Sequence, residues 1–218
     1  MFDARYFAFV TIAAILVLSP GATMAVVLQM AVERGRAAAL ETVAGVAVGN
    51  STLALASAVG MAALFARLPW ALEAVKVGGA IFLAYLGGRG LWRAWRAVGP
   101  ANPRRGAAPG EALRVPARAP GANWEPLRRG IATNLLNPSV VVFYMTLLPQ
   151  FIGPRDPFLT RFLVLAVTHV VMALLWLTVY TLAIGTFVEH MSRPGVRRAM
   201  ESLTGLVLLG FGVRLLAR

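Results

Sequence analysis

The chain has 218 residues, of which 58% are hydrophobic and 14% charged, with a mean hydropathy of +0.71; soluble domains are about 45–50% apolar and about 25% charged, so a soluble single domain is excluded. A formal charge of +12 would point to nucleic acid in a soluble chain, but here the basic residues fall between apolar runs, where they report membrane topology instead. The absence of cysteine removes disulfides, thiolate metal sites and thiol chemistry.

Apolar runs occupy Tyr6 to Val32, Ala37 to Ala66, Trp70 to Trp92, Ile131 to Ile152, Phe158 to Val188 and Met200 to Leu216. At about 20 residues per crossing each is long enough to span a bilayer, the last only just. The first run outlasts the h-region of a signal peptide, carries Pro20-Gly21 at mid-length and is followed by five more runs, so it is expected to be a retained helix. The connections after the first, third and fifth runs hold 14 of the 21 basic residues. Positive residues stay cytoplasmic, which places both termini outside.

Residues 97–127 are rich in proline, glycine and arginine with almost no apolar periodicity, and read as a flexible basic cytoplasmic linker that is solvated and helps to fix topology. It separates residues 1–96 from residues 128–218, three spans from three spans. An odd number per half forces the halves to insert in opposite orientations. The predicted fold is therefore all-α: a polytopic membrane protein of six transmembrane helices arranged as two inverted three-helix repeats. A weak internal echo pairs Pro20 with Pro138, and Leu86-Gly87 with Leu209-Gly210.

Proline within a span removes an N–H and displaces the carbonyl four residues earlier, so Pro20 is expected to free the carbonyl of Leu16 and Pro138 that of Asn134. Asn137, directly before a proline, is pushed out of helical geometry. One break per half, near mid-depth, is the sequence pointer to a transport site. The N–H groups after each break, at Ala22 and Thr23 and at Ser139 and Val140, suit a carboxylate. Carbonyls before the breaks, with the side-chain oxygens of Asn134 and Asn137, suit an ammonium group. The equal alternative is that both prolines merely kink helices for packing.

Asn50, Ser51 and Thr52 lie near the middle of the second run and on different faces; Asn50, directly after Gly49 and just over one turn beyond Gly45, either lines the site or bonds another helix. The Gly45-xxx-Gly49 pair reads as helix packing within the monomer, with a homodimer contact as the alternative. Gln150 after Pro149 is an outer-gate candidate or a helix cap. Two ionisable groups are candidates for proton coupling. Glu41 enters the second run, where pairing with Arg34 or Arg36 is its structural alternative. His169, deep in the fifth run, has a hydrogen bond to Thr168, Tyr180 or a backbone carbonyl as its own.

The sequence Ser19-Pro20-Gly21-Ala22, then Gly35, Gly45-xxx-Gly49, Gly60, Gly79 to Leu86-Gly87, Asn134-Leu135-Leu136-Asn137-Pro138 and Pro149-Gln150-Phe151 resembles the LysE/RhtB family of amino-acid exporters, over nearly the whole chain except the linker. The resemblance implies a bacterial inner-membrane transporter moving amino acids or close derivatives outward by exchange with protons. The substrate-binding residues expected from the two breaks and the polar residue of the second run are Pro20, Gly21, Ala22, Thr23, Asn50, Asn134, Asn137, Pro138 and Ser139. The family usually has a second proline where Ala22 stands and a lysine where Ser139 stands. No cofactor or metal is expected, and the expected partners are a small-molecule amino acid and the lipid bilayer.

Competing readings find less support. Divalent-metal efflux needs several converging carboxylates, histidines or thiolates, and an enzyme needs a nucleophile, base and orienting group that the spans do not supply. A non-transporting structural or assembly protein and an exporter of a different small solute are the remaining alternatives.

Overall fold

The structure, a computed structural model, describes residues 2–19, 21–68, 124–153, 155–184 and 194–216, together with residues 74, 77–78, 81, 84–85, 87–89, 91–92 and 95. Residues 97–123 of the expected linker, and Pro20, lie outside these. All regular structure among the described residues is helical.

Helix α1 runs from Ala4 to Leu18, capped by the Asp3 side chain, which accepts a hydrogen bond from the Tyr6 N–H. It stops at Ser19, which is extended at φ −69° and ψ 130°, as a residue before proline must be. Helix α2, Ala22–Arg67, has 46 residues. A straight helix of that length would reach about 69 Å, more than twice the hydrocarbon thickness of about 30 Å. Gly35, at φ 86° and ψ 178°, interrupts it. This left-handed backbone costs glycine nothing and L-residues a good deal. Met24, Val27 and Met30 before the interruption share one buried cluster with Ala39, Val43 and Val46 after it, so the two arms fold back on each other.

Helix α3, Glu125–Leu135, packs tightly on the second arm of α2. A β-carbon on Gly45 would collide with the Leu127 carbonyl, one on Gly130 with the Thr42 carbonyl, and one on Gly49 would lie 3.0 Å from Cβ of Asn134. The Gly45-xxx-Gly49 face is thus filled by α3 of the same chain. After a 55° bend, α4 (Pro138–Val142) continues into a wide π turn, Phe143–Leu147, and a tight 3₁₀ turn, Leu148–Phe151. Helix α5 spans Phe158–Leu182 and α6 spans Pro194–Leu216. The π turn, α1, the distal part of α2 and α5 meet in the main apolar core around Phe9, Met61, Tyr144 and Phe162.

Charged groups collect at the helix ends. Arg34 pairs with Glu125, and Arg129 lies 3.3 Å from Glu125 and 3.5 Å from Glu33, joining the Gly35 turn to the start of α3. Glu41 is exposed and has no ion pair among the described residues; Arg34, one of the partners proposed for it, is bound to Glu125 instead. At the other end Arg161 of α5 pairs with Asp3 and lies 3.8 Å from Asp156.

Two described helices are long and apolar enough to cross a membrane, Ala22–Leu64 and Phe158–Leu182, and the bent pair Glu125–Leu135 with Pro138–Phe151 makes a third if counted as one span.

Candidate functional site

Both helix breaks open on one cavity of about 450 Å³, within the size range of small-molecule sites. Thr23 and Asn50 both line it, although 27 residues of straight helix would hold them about 40 Å apart; the Gly35 turn brings them together.

Of the residues singled out from the sequence, Gly21, Ala22, Thr23, Asn50, Asn134, Asn137, Ser139 and His169 line the cavity. Pro138 is exposed and, with Glu41 and Gln150, is not among its lining residues. Gln150 donates from Nε2 to the Thr146 carbonyl at 2.8 Å, a bond within its own helical turn. Pro20 lies outside the described residues.

The breaks are built alike and finished differently. In each, the residue before the proline donates its N–H to the carbonyl three residues back: Ser19 to Leu16 at 3.2 Å, and Asn137 to Asn134 at 3.1 Å. The carbonyls expected to be free are thus recaptured by tight turns, each keeping one lone pair. At the second break the Asn137 side chain accepts from the Ser139 N–H at 3.1 Å, and the Val140 N–H bonds the Asn137 carbonyl. These donors, expected to face a carboxylate, are occupied. At the first break Gly21 supplies no side-chain cap, and the N–H groups of Ala22 and Thr23 have no partner among the described residues. The positive end of α2 is therefore the open one.

Two buried asparagines line the same cavity. Asn134, 1% exposed, donates from Nδ2 to the Val46 carbonyl at 3.2 Å, tying α3 to α2. Asn50 is 3% exposed, and its Oδ1 has no hydrogen-bond partner. A buried orphan acceptor costs about 1–3 kcal/mol, so its retention at a cavity wall marks it as a group awaiting a donor.

His169 is buried beside Phe143, with ring centroids 4.2 Å apart, and its Nδ1 lies 2.9 Å from the Tyr144 hydroxyl. That partner is none of those expected for it; Thr168 bonds the Tyr6 hydroxyl at 3.2 Å instead. Tyr144 belongs to the π turn, a local widening that recurs at functional sites. Its place six residues beyond Pro138 was the available signal. Arg89, Thr204 and Gly205 also line the cavity. Arg89 is one of the 14 basic residues that mark topology in the connections, yet its position inside the third apolar run also makes it a functional candidate.

Apolar helices of spanning length around a partly polar cavity define a helical membrane protein. A model of the LysE type translocator family matches residues 14–218, and the chain belongs to that family, whose members are membrane transporters and not enzymes. The chain is 28% identical to a homoserine/homoserine lactone efflux protein of Salmonella typhimurium over 96% of this chain and 95% of that one. It is 29% identical to a leucine efflux protein of the same organism, over 97% and 94%, and 31% identical to an uncharacterized membrane protein of Pseudomonas aeruginosa, over 91% and 88%. No solved structure matches the chain.

Proposed function

We propose that the protein is a secondary exporter of amino acids or their close derivatives, acting in the bacterial inner membrane by exchange with protons, with the cavity at the two breaks as its substrate site. The observation that carries this reading is the convergence on one cavity of unpaired donors at Ala22 and Thr23 with an unpaired buried acceptor at Asn50. A zwitterion needs both kinds of group at once. The relatives named for efflux of homoserine, homoserine lactone and leucine support amino acids as the cargo. The topology that goes with it is six helices as two inverted three-helix repeats, residues 1–96 and 128–218, both termini outside and the linker 97–127 inside. The matching turns at Ser19 and Asn137 support the repeat.

The test is a panel of radiolabelled amino acids in proteoliposomes with an imposed pH gradient, comparing the native protein with Asn50→Ala. Uptake of at least one neutral amino acid is expected, with a fall of tenfold or more in the variant. Because Oδ1 is unpaired in the resting fold, the variant should unfold no earlier than the native protein. A flat panel would overturn the reading.

A further inference from the structure

The cavity wall carries one permanently charged side chain among the described residues, Arg89, and no carboxylate. Arg89 has no acidic partner among the described residues. Its position is set by a close helix crossing two residues away: a β-carbon on Gly87 would lie 2.7 Å from the Gly205 carbonyl, and one on Gly205 would lie 2.8 Å from the Gly87 carbonyl. Gly205 and Thr204 themselves line the cavity. The glycine contact therefore holds the Arg89 segment beside Gly205, on the cavity that Ala22, Thr23 and Asn50 also line.

We infer that Arg89 is a specificity-determining residue that binds the free carboxylate of the substrate, restricting transport to neutral amino acids with an ionised carboxyl group and rejecting lactones, amides and basic amino acids. The inference rests on the exporter reading and deepens it. A guanidinium offers a planar fork of donors that matches a carboxylate, and such charge-assisted bonds are about twice as strong as neutral ones. The open N-terminal end of α2, which lines the same cavity, adds positive potential to it. The ammonium group is left to the Asn50 acceptor. A lactone or amide presents no negative charge to Arg89, and a basic side chain finds no carboxylate on the described wall. Both classes would add net positive charge to a site that already holds one.

The experiment is counterflow of radiolabelled leucine and radiolabelled homoserine into proteoliposomes holding the full-length protein, with unlabelled leucine, leucinamide, homoserine lactone and lysine as competitors. Leucine is expected to compete at least tenfold better than the other three. Arg89→Gln should weaken leucine at least tenfold while leaving leucinamide unchanged, and Arg89→Lys should recover part of the difference. Equal competition by leucine and leucinamide on the native protein overturns the assignment, and so does an unchanged ratio in Arg89→Gln. Should Arg89→Gln fail to fold, the native ratio and Arg89→Lys decide it. Absence of counterflow for both labelled substrates overturns the exporter reading itself, a result distinct from transport without discrimination.

Discussion

The hydroxyl of Tyr144 lies 2.9 Å from Nδ1 of His169, and the two rings meet edge-on at 5.4 Å and 87°. Tyr144 is fully buried while His169 reaches the cavity, so the pair links the π turn after the second break to the wall formed by α5. When the hydroxyl donates to Nδ1, the proton of a neutral imidazole sits at Nε2. Tyr144→Phe leaves Nδ1 buried without a partner and should destabilise the protein by about 1–3 kcal/mol, read as a lower unfolding temperature in detergent. If His169 couples protons, His169→Gln should lose pH-driven exchange and retain substrate counterflow. Undiminished pH-driven uptake in that variant would remove the histidine from the coupling step.

The crossing of α2 and α3 leaves no room for a methyl group at two of its glycines. Gly45→Ala and Gly130→Ala each drive a β-carbon into a backbone carbonyl, which cannot yield as the end of a side chain can. Both variants should be recovered poorly and elute as aggregates in size-exclusion chromatography. Gly60 is the matched control, since its β-carbon would meet nothing within 4 Å. Gly60→Ala should be neutral or stabilising by about 0.5–1 kcal/mol, because alanine loses less conformational freedom in a helix. Equal recovery of all three variants would mean the helices are farther apart than described.

What could be read from sequence follows from how local each cause is. A proline break acts within four residues, so the turns at Ser19 and Asn137, the cavity beside them and the packing role of Gly45 and Gly49 were all legible. The finishing of the two breaks was not. Whether Asn137 caps its own helix or faces a substrate depends on a side-chain torsion, and the sequence carries the same residue either way. Arg89 was read as a charge in a connection because nothing in the third run announces that Gly87 will meet Gly205, a contact between segments 118 residues apart. Glu41 looked like a member of a helix-end cluster for the opposite reason. Its nearby arginines were visible in the chain, whereas Glu125, the partner Arg34 takes, enters only when α3 folds against α2.

The Asp3 carboxylate accepts from the Tyr6 N–H at 3.0 Å and from the Arg161 guanidinium. First the backbone bond and then the arginine hold its carboxyl below the ordinary value of 3.8. The fold thus favours the ionised form, so this contribution to stability is complete above the unfolded pKa and is lost as pH falls below about 4 through the lower folded value. Asp3→Asn keeps a capping oxygen for Tyr6 and removes only the charge. The native protein should therefore exceed the variant in unfolding temperature by a constant small margin from pH 7 down to about pH 5, and the margin should shrink toward zero below about pH 4. Asp3 is half exposed, so added salt should also narrow the gap at neutral pH. A margin that persists undiminished into acid would show that the side chain acts through its shape and capping geometry, with no contribution from the charge it presents to Arg161.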